Sequence, residues 1–130
     1  MKNVIIFGAG AAGARAYQHY KKTCKVMAFI DNDPGKQNTR LFGVDVMSIE
    51  SASKLPVDHI YIASASFDAI KQQLAAVFTE PAVHIRQVEE KFIDPKSVLR
   101  TGWLSFFAVI GTLYLVLFAV IYLQVNAHAG

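Results

Sequence analysis

Apolar residues come in short runs up to Val88 and in one long run near the end of the chain, and the two regimes predict different structures. Lys2–Phe7 is a compact β-branched run, a first strand. Gly8-Ala9-Gly10-Ala11-Ala12-Gly13 follows at once, with a helix expected over Ala11–Lys22 and a second strand over Val26–Ile30, ending at Asp31. Asn32–Asn38 is dense in turn formers and reads as a loop. Leu41–Val46 suggests a turn into a short third strand, and Ser48 opens a short helix over Ile49–Leu55 that stops near Pro56. Asp58–Ala63 is apolar at successive positions, as a strand covered on both faces should be. Ser64-Ala65-Ser66 turns into a helix over Phe67–Phe78, whose apolar stripe is Ile70, Leu74, Val77 and Phe78. Thr79-Glu80-Pro81 ends it, and Ala82–Val88 is a fifth strand.

Strands alternating with helices predict an α/β fold: a Rossmann-like parallel sheet with helices on both faces. The expected strand order is 3-2-1-4-5. Ligands of such sheets bind in the crevice beyond the carboxyl ends of the strands, where the order reverses. That order brings Gly8–Gly13, Asp31 and Ser64–Ser66 to one place.

The long run is different. Residues 103–123, from Trp103 to Leu123, contain no charge. As a helix this segment spans about 31 Å, close to the hydrocarbon thickness of a bilayer. Trp103 and Tyr122 fall where interfacial aromatics belong, and Gly111-Thr112 is an interruption a membrane helix tolerates. A domain of this size cannot cover a helix that is apolar all round, so a C-terminal transmembrane helix is expected rather than a core helix. The domain plan is then a nucleotide-binding domain over 1–93, a juxtamembrane linker over 94–102 broken at Gly102, a membrane helix over 103–123 and a short external tail over 124–130.

Composition sharpens this division. The chain has 130 residues, 53% hydrophobic and only 18% charged, against about 25% in ordinary soluble domains. Every Lys, Arg, Asp and Glu lies at or before Arg100. Lys91, Lys96 and Arg100 flank one side of the apolar segment, so the positive-inside bias places the globular part in the cytoplasm of a single-pass inner-membrane protein. The net charge of +3 is spread among acids, which argues against a nucleic-acid partner. The lone Cys24 fits a reducing compartment and a strand-edge or helix-end position. No N-terminal signal is expected, because the first apolar run is too short.

The glycines carry the candidate chemistry. Gly8 lets the chain turn sharply out of the strand, Gly10 leaves the backbone bare for a pyrophosphate, and Gly13 lets the helix pack close. Backbone N–H groups around Ala9, Ala11 and Ala12 at the helix start would face the phosphates. Asp31, with Asn32 beside it, stands where a carboxylate accepts hydrogen bonds from ribose hydroxyls. Ser64 and Ser66 either touch the ligand or cap the following helix. The alternative is a scaffold whose glycines serve packing alone.

The runs G-A-G-A-A-G, F-I-D-N-D-P (Phe29–Pro34) and G-V-D-V (Gly43–Val46) resemble the N-terminal Rossmann-like domain of bacterial nucleoside-diphosphate-sugar epimerases and dehydratases of surface polysaccharide synthesis. They are also similar to the small sugar-binding domain of the related sugar acyltransferases. The likeness covers about residues 2–93. The first setting implies NAD over Gly8, Gly10 and Gly13 with Asp31 on ribose. The second implies a nucleotide-sugar such as a UDP-sugar in the same crevice. Asp31 without an adjacent Arg favours NAD over NADP, with Arg40 farther on. The order of parts departs from that of the membrane-bound dehydratases, whose membrane helices precede this domain and whose catalytic domain follows it.

No catalytic or metal-ligating residue is singled out. Tyr17 and Lys21 have the Tyr-x-x-x-Lys spacing of short-chain dehydrogenases but lie on the first helix, where a solvated face is expected. His19, His59, His84 and His128 lack metal-like spacing and read as surface or strand-edge residues, and Glu89 and Glu90 as a solvated linker. The functional expectation is a membrane-anchored nucleotide-binding module that works with membrane enzymes of glycan assembly. The alternatives are an oxidoreductase or epimerase that needs a partner for its catalytic half, and a non-catalytic ligand-sensing or interaction protein.

Overall fold

The computed structural model describes residues 1–129, with side chains described for 1–96 and 110–127. The chain divides into two compact units, Met1–Asp94 and the segment from Pro95 onward.

The first unit is a six-stranded sheet flanked by helices. Its strands are β1 (Lys2–Phe7), β2 (Cys24–Ile30), β3 (Arg40–Leu41), β4 (Val44–Met47), β5 (His59–Ile62) and β6 (His84–Gln87). Their order is β3-β4-β2-β1-β5-β6. All pairings are parallel except β3 with β4. The expected order of five parallel strands is therefore present, and the third of them carries an added antiparallel edge. Phe42-Gly43 is a hairpin turn between β3 and β4 rather than a lead into one strand. Phe42 and Gly43 both take positive φ there, at 53° and 75°.

Helices α1 (Ala11–Tyr20), α2 (Ile49–Ala52), α3 (Phe67–Val77) and α4 (Glu90–Ile93) complete the unit. α1 and α4 pack on one face, over Ile6, Phe29 and Val46. α2 and α3 pack on the other, over Ile5, Ile30, Ile60 and Ile62. Both faces of β1, β2 and β5 are thus covered, which is why residues 4–7, 26–30 and 60–62 are continuously apolar. Burial of each such side chain contributes about 1.5–3 kcal/mol.

Several local expectations change. Ser48 caps α2 through its Oγ, which accepts from the Ser51 N–H at 3.2 Å, but the helix is only one turn long. α4 was not expected; the stretch read as linker folds back onto α1, where Arg15 donates to the carbonyls of Phe92 and Ile93 at 2.7 and 3.2 Å. Glu89 pairs with Lys91 at 2.7 Å. His59, expected at the surface or a strand edge, is the first residue of β5 and is buried there, 6% exposed. Tyr17 is not on a solvated face either. It stacks on Phe42 at 4.9 Å and leans against Phe29. Lys21 lies over the Tyr17 ring.

The second unit is one helix, α5 (Pro95–Ala129). Its backbone runs through Gly102, where a break was expected. Ile110–Ala127 has a mean hydropathy of 1.8 and none of it is buried, so it is long and apolar enough to cross a membrane. The side chains of Arg100, Trp103 and His128, invoked above for orientation, an interfacial anchor and a lone imidazole, lie outside the described residues.

Candidate nucleotide site

The glycine turn leaves β1 where the carboxyl ends of β2 and β5 stand on either side of it. Two of its three glycines are required by the protein itself. Gly8 has φ +109°, and a Cβ there would stand 3.0 Å from the Ala63 carbonyl oxygen. A Cβ on Gly13 would fall 1.8 Å from the Gly8 carbonyl oxygen, so α1 can cross β1 this closely only with glycine.

Gly10 is different. It is the N-cap of α1, at φ −96° and ψ −159°, a conformation any residue adopts. A Cβ there would meet nothing within 4 Å except the Lys36 ammonium at 3.7 Å. Gly10 and Ala11 are exposed, Ala9 and Ala12 half-buried. The first four N–H groups of a helix have no partner inside it. The first turn of α1 holds no acid to compete for them.

Asp31 ends β2 beside this loop and is tied into it. One carboxylate oxygen accepts from the Ala9 N–H at 2.9 Å, and the other accepts from the Asp33 N–H at 2.9 Å. The expected ribose acceptor is therefore also a brace, and one glycine-loop donor is already used. An ionised carboxylate offers about four lone-pair sites, so two remain. Lys36 Nζ lies 3.9 Å from Asp31. It arrives there because Asp33 turns the loop back: its Oδ1 accepts from the Gly35 N–H, and its carbonyl accepts from the Lys36 and Gln37 N–H groups. The Lys36 ammonium thus lies over Gly10 and beside Asp31, and no core side chain stands within 4 Å of where a Gly10 Cβ would be.

Carboxamides surround the mouth. Asn32 and Gln73 exchange two hydrogen bonds, at 2.9 and 3.1 Å. Gln37 donates to the Asp31 carbonyl at 2.9 Å, and Gln87 to the Ser64 carbonyl at 3.2 Å. Ser64 and Ser66 reach the expected place after β5, but neither hydroxyl caps α3. Ser64 Oγ instead accepts from the Ser66 N–H at 3.2 Å, closing a local turn. The sequence reading missed Lys36, Gln37, Gln73 and Gln87. The only available signal was the Asp33-Pro34-Gly35 turn, which returns the chain toward Asp31. A cavity of about 560 Å³ lies at the opposite, amino-terminal edge of the sheet, lined in part by Asn3, Lys54, Asp58 and Glu80, and no predicted site residue lines it.

Residues 1–81 match the family described as C2185-like, N-terminal. The chain belongs to that family. No curated protein matches it in sequence. Among solved structures it is similar to UDP-D-quinovosamine 4-dehydrogenase from Vibrio fischeri, at 20% identity and a TM-score of 0.58, over 73% of this chain and 85% of that one. It is also similar to RSP, a Rex-family repressor. For RSP solved with β-NADH the identity is 16% and the TM-score 0.53, over 85% of this chain and 64% of the other. For RSP with β-NAD+ and operator DNA the values are 14% and 0.54, over 85% and 61%. At such identities the likeness establishes the Rossmann-like fold, and this chain spans less than two thirds of the repressor's length.

Proposed function

We propose that residues 1–93 form a nucleotide-binding module that takes NAD(H), or alternatively a nucleotide-sugar, at Gly8–Gly13, and that the apolar helix holds this module at the cytoplasmic face of the inner membrane. The reading rests on Gly10. Gly8 and Gly13 are explained by the fold, but no atom of the protein requires a bare backbone at position 10. A group from outside does: a diphosphate that approaches the unpaired N–H groups at the start of α1. The free lone pairs of Asp31 would take the ribose hydroxyls, and Lys36 would exchange its place beside Asp31 for a phosphate oxygen. The NAD complexes of the repressor and the UDP-sugar enzyme among the structural neighbours support this ligand class. The resemblance to nucleotide-sugar epimerases and dehydratases supports a role in surface polysaccharide metabolism, beside membrane enzymes of glycan assembly.

The test is calorimetry of the full chain in detergent with NADH and UDP-sugars. Gly10→Val should weaken binding by about tenfold or more, equivalent to about 1.4 kcal/mol or more, while the unfolding temperature falls by no more than about 10 °C, as the loss of an N-cap glycine allows. A Gly10→Val protein that binds as the unmodified chain does would remove this loop as the phosphate seat.

A further inference from the structure

The two residues that exchange amide hydrogen bonds across the mouth come from opposite sides of β1. Asn32 follows β2, next to Asp31, and Gln73 projects from α3, which follows β5. Both are exposed. Hydrogen bonds between exposed neutral groups add little net stability, because water serves each partner nearly as well. The contact is therefore easily opened, and it matters little to the core.

Its chemistry is specific. A carboxamide presents one donor and one acceptor side by side, and each of these two side chains satisfies the other in both roles. A nucleobase edge offers the same adjacent pair: the amino group and N1 of adenine, or N3–H and O4 of uracil. In nucleic-acid complexes Asn and Gln read adenine by the same donor-acceptor pairing, there through its amino group and N7. The position fits as well. In a nucleotide the base is attached to the ribose, and Asn32 adjoins the carboxylate assigned to the ribose.

We propose that Asn32 reads the base of a nucleoside diphosphate, and that Gln73 occupies the place of the base edge when the site is empty. This inference rests on the phosphate seat at Gly10 described above. On binding, the base displaces the Gln73 carboxamide and takes over both of its hydrogen bonds to Asn32. Gln73 is then a competitor, not a ligand contact, so its loss should not weaken binding as the loss of Asn32 does.

Calorimetry of the full chain in detergent with ADP, UDP and inorganic pyrophosphate tests this. Asn32→Ala should weaken the diphosphate of the preferred base by about tenfold, within the range of a lost bidentate base contact. Gln73→Ala should leave that affinity unchanged or raise it up to a few-fold. Pyrophosphate should bind both variants as it binds the unmodified chain. The stronger of ADP and UDP identifies the base. Unchanged nucleotide binding in Asn32→Ala would overturn the proposal. So would a loss in Gln73→Ala that matches the loss in Asn32→Ala, the behaviour of a structural brace. Equal losses for nucleotide and pyrophosphate would also overturn it. If the unmodified chain bound no pyrophosphate and no nucleotide, the phosphate seat itself would fall, and this inference with it. If pyrophosphate bound with the same affinity as ADP and UDP, the seat would stand and only base reading would fall.

Discussion

Glycines that look alike in a motif differ once their neighbours are known. Gly13 is held against the Gly8 carbonyl so closely that a methyl group would have to move a helix. Gly13→Ala should therefore cost about 3 kcal/mol or more, at the upper end of overpacking effects, read as a lower urea midpoint. Gly10→Ala has room and an ordinary backbone conformation, so its cost should stay within about 1 kcal/mol. Equal destabilisation by the two would contradict the distinction on which the phosphate seat depends. A second residue-scale effect concerns His59. Burial lowers its pKa below the usual 6.5, Lys2, His84 and Arg86 lower it further, and Asp58 offsets them in part. Lys2 Nζ lies 3.1 Å from its Nε2, and its buried Nδ1 has no partner among the described residues. The unfolded chain takes up a proton here at a higher pH than the folded one. Stability present above the unfolded value is thus lost as pH falls below about 6.5. His59→Gln should flatten the stability profile below about pH 6.5, measured by urea titration at each pH. A slope in that window equal to that of the unmodified protein would show that His59 is not its source. Gly8 and Gly13 were legible in sequence because their jobs are set by local backbone geometry. The brace role of Asp31 was not, since it depends on where the Ala9 N–H points after the turn closes.

At the scale of elements, what could be read was what is buried on both sides. β1, β2 and β5 announce themselves because helices cover both of their faces, and their polar residues, Lys2, Asn3, Lys25 and His59, fall at or near their amino-terminal ends. The elements that were missed are short and take their stability from somewhere else. β3 has two residues and pairs only with β4. Its turn holds Phe42 at positive φ, a conformation that costs an L-residue about 1–2 kcal/mol, and stacking on Tyr17 offsets that cost. No local propensity forecasts such an exchange. α4 is a single turn, too short to stand on propensity. It is held by Arg15, distant in sequence, whose guanidinium serves two carbonyls near its end. Arg15→Ala should therefore free residues 89–94 without unfolding the sheet. Hydrogen exchange should speed at the Phe92 and Asp94 amides, which bond back to Glu89 and Glu90, while the β1 amides stay protected. Uniform acceleration through the domain would mean that Arg15 supports the whole core.

At the scale of the whole molecule, the surface chemistry of the two units differs in kind. In the first unit the large exposed hydrophobics are Met1 and Phe42. In α5 they run from Ile110 to Val125, and Leu113 through Phe118 are exposed at six successive positions. Six successive helical positions cover every side of the cylinder, because each residue advances the helix by 100°. A helix meant for a protein partner keeps one polar side for water, and this one has none over that stretch. Lipid covers such a surface without further provision. The expected outcome is that the full chain stays with the membrane fraction after alkaline carbonate extraction. Leu117→Arg, near the middle of the apolar window, places a charge that costs about 2.5–3.5 kcal/mol at mid-bilayer, so it should move a measurable share of the chain into the extract. In the orientation proposed above, the cationic residues on the amino-terminal side of the helix, Lys91 and Lys96 among them, would keep the first unit inside the cell. Protease added to spheroplasts should then leave residues 1–93 intact until the cells are lysed. Extraction of the unmodified chain by carbonate would show that protein covers α5, and digestion of the domain in intact spheroplasts would reverse the orientation. The second result would also separate the site from cytoplasmic NAD(H), which makes topology the measurement on which the ligand assignment most depends.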